Sequence, residues 1–354
     1  MQMRRLKLDR IASSTRNAQL RREVVVGDEL IAREGYILAV RVLQNKFAYD
    51  TVEDVTGRMI KVKAGDILAG VLGYRRALRG YAGIVPDKLA VGDRLHILNL
   101  GGVLGICTAG NPELGPPFEV EVLGAVLTFP DMGDRVGEPA HIYTSSILPA
   151  STLNNLPPLI MIAGTSMNSG KTFAATELVR VLSKQGRNVA ACKLTGVSLM
   201  RDMLSMGDAG AVEVMDFTQA GIASTRGTKI LPVARGILQH LAKGNPDLIV
   251  AELGDGILGE YGVDDILGDV ETTRFAACHI VCAPDPVAAY GAVRIYRERF
   301  HLPIHLFTGP VTDNAVGSDF IRDKLGIEAI NARHDIDNLV AVVTRIIEQA
   351  GAGQ

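Results

Sequence analysis

The stretch Gly164-Thr165-Ser166-Met167-Asn168-Ser169-Gly170-Lys171-Thr172 holds the residue types that cradle a phosphate. Two glycines bound a run of small and polar residues, a lysine follows the second glycine, and a hydroxyl residue follows the lysine. Backbone N–H groups of such a loop can surround a β-phosphate, and the helix that starts there adds the positive end of its dipole. Lys171 would reach the β- and γ-phosphates, and the Thr172 hydroxyl would supply a ligand to Mg²⁺. Phe173 closes the candidate binding segment. The flanks support this assignment: the β-type run Leu159–Ala163 feeds directly into the loop, and the residues from Thr172 repeat apolar side chains at helical spacing.

Further along the chain, polar groups appear at the ends of apolar runs, where a strand would deliver them to a ligand. Lys193 follows Val189–Cys192 and precedes Thr195 and Gly196. Asp216 ends another short run. Glu252 follows Leu248–Ala251 and is itself followed by Gly254, Asp255 and Gly256, glycines that let backbone approach a ligand. A glutamate capping a buried strand is costly without a partner, which favours a functional role for Glu252. None of the seven histidines (His96, His141, His240, His279, His301, His305, His334) stands beside a plausible nucleophile, so there is no sequence case for a triad.

These groups need a parallel sheet to position them, and the pattern after Leu159 provides one. Apolar runs at 159–163, 189–192, 211–214, 248–251, 278–283 and 304–307 alternate with helical stretches at 172–184, 233–243, 286–300, 318–325 and 335–348. The fold class expected is α/β, a parallel-sheet P-loop NTPase domain with helices on both faces, preceded by a small β-rich domain. Residues 23–128 read as short strands with Gly-Asp and Gly-Gly turns, giving a barrel or sandwich. Within them Lys63-Ala-Gly-Asp-Ile-Leu and Leu89-Ala-Val-Gly-Asp-Arg-Leu form a weak internal echo. The basic, glycine-rich run from Gly73 to Gly83 reads as an exposed loop, with closure over an anionic substrate as the alternative. Residues 129–158 read as a linker and 159–354 as the P-loop domain. Residues 1–22 carry seven basic side chains against one acid and read as a basic leader.

Composition bounds the remainder. A chain of 354 residues with 47% hydrophobic and 21% charged residues is long enough for two domains with separate cores. Its net charge of -2 gives no reason to expect nucleic acid as a partner. No apolar run approaches the ~20 residues that span a bilayer, so no membrane partner is expected and the compartment expected is cytoplasmic. The four cysteines (Cys107, Cys192, Cys278, Cys282) have no zinc-like pairing and read as small hydrophobes.

Five residues separate Gly164 from Gly170, one more than in the common form of the motif. A loop of this length beginning Gly-Thr resembles that of dethiobiotin synthetase and the cobyrinic acid synthases. Thr165, Ser166 and Met167 leave no place for the additional loop lysine of ParA- and MinD-type ATPases. Lys193-Leu-Thr195-Gly196 is similar to the Lys-Pro-x-x-x-Gly element of dethiobiotin synthetase, lacking its proline and with shorter spacing. The resemblance implies that Lys193 contacts substrate and the transferring phosphate. It also implies that Asp208 and Glu252 join Thr172 around Mg²⁺, and it leaves Thr195, Gly196, Asp216 and Asp255 as candidate substrate contacts. A closer likeness is to a bacterial two-domain group that includes D-glutamate N-acetyltransferase, from which Glu252-Leu-Gly-Asp-Gly departs where that group has Gly-Gln-Gly-Ser-Leu.

Three functions are compatible with this resemblance. The first is a Mg²⁺-ATP-dependent enzyme, ligase- or kinase-like, that activates a small carboxylate, amine or carbamate by phosphoryl transfer, with Lys171, Lys193 and Glu252 as its catalytic residues. The second is an N-acyltransferase on an amino acid that holds coenzyme A phosphates in the loop. The third is a nucleotide-dependent switch or scaffold. ATP is the default nucleotide, because residues 307–314 contain no Asn-Lys-x-Asp guanine signature. A small-molecule substrate and a homodimer are implied by the superfamily.

Overall fold

A computed structural model describes residues 2–352 apart from Met132, Asp134, Arg135, Ser145 and Thr228. Met1 of the expected leader, four residues of the expected linker, and Gly353 and Gln354 thus lie outside the described residues. The chain forms two compact units. One is Met1–Ile147 with Val197–Arg201 and Phe217–Arg226, and the other is Leu148–Gly196 with Asp202–Asp216 and Gly227–Gln354.

In the first unit five strands close on one another. Ile37–Val42 pairs with Ile67–Leu72, which pairs with Val103–Gly110; that strand pairs with Arg94–Ile97, then Phe118–Thr128 returns to Ile37–Val42. Closure removes the open edges that a sheet of this size would otherwise expose. Successive residues of Ile37–Val40 enter two different apolar clusters. Leu38 and Val40 pack with Leu68, Leu104 and Val120, while Ile37 and Ala39 pack with Ala69 and Val103. Burial on both faces explains why these strands read as nearly continuous apolar runs. The two Gly-Asp turns also share a structure: Asp66 accepts a hydrogen bond from Lys63 N at 3.0 Å, and Asp93 accepts one from Ala90 N at 2.7 Å.

Three expectations for this unit are corrected. The basic leader contains a strand, Met3–Lys7, antiparallel to Glu23–Gly27; its Arg and Lys side chains suit an edge, where charge discourages further pairing. The run from Gly73 is a hairpin of Arg75–Arg76 and Tyr81–Ile84. Arg75 is buried in it, donating to the Leu98 carbonyl and to the Tyr49 hydroxyl, so its guanidinium is committed to the fold. The linker expected over 129–158 is largely packed. Glu138–Pro139 pairs with Leu127–Thr128, and Ala140 and Ile142 enter the first unit's core. Leu153 is fully buried in the second unit.

The second unit is built on seven parallel strands: β1 (Leu159–Gly164), β2 (Val189–Thr195), β3 (Glu213–Asp216), β4 (Leu248–Leu253), β5 (Ala276–Cys282), β6 (Leu306–Thr308) and β7 (Glu328–Ala329). They lie in the order β3-β2-β4-β1-β5-β6-β7. Its helices include α1 (Lys171–Lys184), α2 (Arg201–Asp208), α3 (Ile230–Ala242), α4 (Val263–Gly268), α5 (Val270–Thr273), α6 (Pro286–Ile295), α7 (Ala315–Phe320) and α8 (Ile336–Ala352). One sheet face, with Ile160, Ile162, Val250 and Ile280, buries the apolar stripes of α1 and α8. Against β2 and β3 lies α3, which also meets α4. Cys278 and Cys282 are free thiols in the α1/α8 core. No helix among the described residues is long and apolar enough to cross a membrane.

Candidate phosphate and metal site

Strands β1, β2 and β4 are adjacent, so the groups at their carboxyl ends converge. From β1 the chain enters the glycine-bounded loop and then α1, whose first residue is Lys171. Lys171 is 6% exposed, and its Nζ donates to the Ser166 carbonyl at 2.9 Å. That carbonyl occupies the lysine's reach in the way a phosphate oxygen would. The hydroxyls of Thr165 and Ser169 are buried without a hydrogen-bond partner, as suits groups made to face a ligand.

At the end of β4, Glu252 is 1% exposed and accepts a hydrogen bond from Thr172 Oγ1 at 3.0 Å through Oε1, while its Oε2 has no partner. Register fixes its neighbours: Lys193 on β2 sits between Asp216 on β3 and Glu252 on β4. The Lys193 ammonium forms an ion pair with Asp202 on the first turn of α2. Burial pushes the Glu252 carboxyl above the usual carboxylate range, against the pull of Lys193 and Lys171. Burial also holds Lys171 below the usual lysine range, with Glu252 opposing. For Lys193 burial is outweighed by Asp202, Glu252 and Asp216, whose charges hold its ammonium above that range.

The turn after β4 packs against the loop. A Cβ on Gly256 would meet Thr165 O at 2.8 Å, and one on Gly254 would meet Thr195 O at 2.2 Å and Lys193 Cε at 2.8 Å. Only glycine lets the strands approach this closely. Asp255, partly exposed on this turn, has a left-handed φ of 74°, and burial raises its carboxyl. Beneath the loop, Gly309 after β6 would place a Cβ 2.4 Å from Ser169 O. Phe173 is 40% exposed, with the Arg333 guanidinium 5.1 Å from its ring centroid.

Mg²⁺ with nucleotide phosphates fits this donor set, since a hard cation takes oxygen ligands and Glu252 Oε2 lies beside the Thr172 hydroxyl without a partner. Among the described residues no group of three or more His, Cys, Asp or Glu is arranged to hold a metal. Mg²⁺ bound through phosphates and water needs fewer protein ligands than that.

Most expected residues converge here, and two do not serve as expected. Asp208 is exposed at the far end of α2. The residues just after it meet the opposite edge of the sheet: Val212 N bonds Val189 O at the first residue of β2, and Ser183 Oγ bonds Gly210 O. Asp208 is therefore no metal ligand; the acid that α2 sends to the site is Asp202. Thr195 is fully buried and its hydroxyl donates to Gly254 O at 2.8 Å, so it braces two strand ends rather than facing a substrate. Gly196 is where the chain leaves the second unit, with Val197–Arg201 belonging to the first. The signal for Asp202 was available in the sequence, because it shares a helical stripe with the buried Met203 and Met206, a poor place for an unpaired acid.

A seven-stranded parallel sheet, its central strand running through a glycine-bounded loop into a helix that begins with a buried lysine, is decisive. The second unit has the P-loop NTPase fold. No family model matches the chain, and no curated protein matches it. Among solved structures, the signal recognition particle receptor FtsY from Elizabethkingia anophelis aligns at 13% identity over 50% of this chain and 59% of that one, with a TM-score of 0.36. A duf1611 family protein from Anabaena variabilis aligns at 14% identity over 56% and 63%, with a TM-score of 0.37. FlhF complexed with GMPPNP and Mg²⁺ aligns at 16% identity over 52% and 69%, with a TM-score of 0.34. The alignment thus spans less than two-thirds of the FtsY chain. The resemblance to dethiobiotin synthetase has no counterpart among these three.

Proposed function

We propose that the second unit binds a Mg²⁺–nucleoside triphosphate and cleaves its γ-phosphoryl group, and that it works as a nucleotide-dependent switch. The observation that carries the chemistry is the Thr172–Glu252 hydrogen bond at 3.0 Å beside the buried Lys171. Lys171 would exchange the Ser166 carbonyl for phosphate oxygens. Thr172 and Glu252 would hold Mg²⁺, which when bound neutralises charge on the β- and γ-phosphates. The free hydroxyls of Thr165 and Ser169 would donate to the same phosphates, and Lys193 would meet charge developing on the transferring group. Positioning and charge neutralisation of this kind account for most of phosphoryl-transfer catalysis.

The switch reading is favoured by the way the chain is threaded. The segments that follow β2 and β3, Val197–Arg201 and Phe217–Arg226, fold with the first unit. Two exits from the site thus end in the other unit, an arrangement suited to reporting nucleotide state and unnecessary for coenzyme A binding. Phosphoryl transfer to a small acceptor stands as the second reading, favoured by Asp216, which is 1% exposed and in register with Lys193 where an acceptor could be held. Phosphate release with Mg²⁺-ATP and Mg²⁺-GTP, with and without a metabolite pool, tests both. Basal release unaffected by metabolites supports the switch, and release that depends on a metabolite supports transfer. Absence of turnover together with absence of any nucleotide-dependent thermal shift sinks the proposal. ATP is the nucleotide expected to give the larger response.

A further inference from the structure

Strands β5 and β6 are tied together by two histidines. The backbone N–H of His305, one residue before β6, donates to the His279 carbonyl at 3.0 Å, and the His279 N–H donates back to His305 Nδ1 at 3.0 Å. A ring nitrogen that accepts from an N–H carries no proton, so the His305 imidazole is neutral with its proton on Nε2. The two rings lie stacked, 6° from parallel, with centroids 6.1 Å apart. His279 is 1% exposed, and its Nδ1 is buried without a partner.

Nothing around the pair welcomes a proton. From the π-helical turn Tyr296–Phe300 after α6, the Tyr296 ring meets His279 edge-on at 5.9 Å, and burial pushes its hydroxyl up, so that it stays neutral in acid. Arg299 on that turn is paired with Asp264 of α4, while Arg297, Glu298 and His301 are exposed. From β1 the register partner of His279 is Met161. Among the described residues no carboxylate bears on either imidazole. The edge that the pair secures is slight, with three residues in β6 and two in β7.

We propose that the His279–His305 pair is an acid-sensitive fastener for the β6–β7 edge of the sheet: a proton on His305 Nδ1 turns that atom from acceptor to donor, the His279 N–H loses its partner, and β6 opens locally from β5. Two imidazolium rings stacked at this separation would also repel each other. The inference does not depend on the nucleotide-binding reading. Burial lowers both histidines, His279 from 6.5 to about 3, so the opened edge takes up protons more readily than the fastened one. Such groups contribute their full stabilisation above the unfolded value of 6.5 and lose it as pH falls below that value. Each histidine that gains a proton on opening should therefore raise the opening equilibrium by about tenfold per pH unit.

Amide-resolved hydrogen exchange on the full chain, corrected for the intrinsic rate and run from about pH 7.5 down to about pH 5, tests the fastener. Protection at His279 and His305 should be constant at the upper end and fall by up to about a hundredfold per unit in the acid range, the weight of two protons. Val250, on β4 beyond β1, should not follow, and an equal loss of protection there overturns the local opening. His305→Asn keeps an acceptor, the amide oxygen, in place of Nδ1 and cannot titrate. Its slope should drop to about tenfold per unit. Protection that stays flat into acid in the wild type, or the same slope in both proteins, overturns the proposal. Should the variant fail to fold, an NMR titration of the His305 C2 proton in the wild-type chain decides. A midpoint below 6.5 supports the fastener, and one at or above 6.5 refutes it.

Discussion

Replacing Glu252 with glutamine separates metal binding from nucleotide binding. The amide keeps the side-chain volume, and its oxygen can still accept from Thr172 Oγ1 at the 3.0 Å seen for the carboxylate. What disappears is the negative charge facing Lys193 and Lys171 and the Oε2 lone pairs that have no partner. Losing one anionic ligand should weaken Mg²⁺ affinity by at least the ~10- to 100-fold that loss of an outer-shell partner costs. Turnover should drop by about 10²- to 10³-fold, the usual effect of losing one contributor to transition-state charge stabilisation, here the Mg²⁺ that Glu252 would hold. Nucleotide affinity measured without Mg²⁺ should be equal or tighter, because a carboxylate that faces phosphate repels it. Mg²⁺ titrations of phosphate release, alongside Mg²⁺-free titrations with a fluorescent nucleotide analogue, report each quantity separately. A wild-type rate in Glu252→Gln, or loss of nucleotide affinity without Mg²⁺, refutes the metal assignment.

Lys171→Ala should abolish the nucleotide-dependent thermal shift, since a ligand at a hundred times its Kd contributes about 2.7 kcal/mol and none of that remains if binding is lost. Asp208→Ala should leave both turnover and chemical stability near wild type, within about 0.5 kcal/mol by urea unfolding, as for an exposed side chain without a partner in the site. Gly254→Ala forces a methyl group against Thr195 O and Lys193, and should cost about 1–3 kcal/mol in the same assay together with a loss of turnover. In the first unit burial pushes the Glu34 carboxyl up from 4.5 to about 8, against a hydrogen bond from Ser224 N. A carboxyl raised by folding favours the folded state below its unfolded pKa and loses that contribution as pH rises through its folded one. Stability should therefore decline between pH 4.5 and about 8 on this account, and Glu34→Gln should flatten that part of a pH series of urea midpoints.

Local chemistry made much of the second unit readable. A loop that wraps phosphate needs glycines, a lysine and a hydroxyl in consecutive order, so the segment from Gly164 to Thr172 can be read without knowing what surrounds it. Strands buried on both faces announce themselves as apolar runs, and each such run after Leu159 overlaps a strand, although those at 211–214 and 304–307 do so over only two residues. The same holds for the first unit, where residues 23–128 form short strands as expected and the strands not anticipated are short or charged, as at Met3–Lys7 and Arg75–Arg76. Lys193 and Glu252 were visible because each ends an apolar run, and a strand end is where a sheet of this type delivers its chemistry.

Pairing across the fold was decided elsewhere. Asp202 and Asp208 lie on one short helix and look alike as sequence, yet only the direction in which α2 runs from the carboxyl end of β2 toward its amino end places Asp202 on Lys193 and Asp208 in solvent. Thr195 looked available to a substrate until the neighbouring strand supplied Gly254 O for its hydroxyl. Val197–Arg201 and Phe217–Arg226 follow strands of one unit and fold with the other, the first held by Glu53 and Asn99 and the second by Glu34 and Asn17, all roughly a hundred residues or more away in the chain. Which groups can hold a phosphate is legible along the chain, because that chemistry is local. Which charges face one another emerges only on folding, because a buried charge takes its partner from whatever element packs beside it, and that partner carries no fixed spacing along the chain.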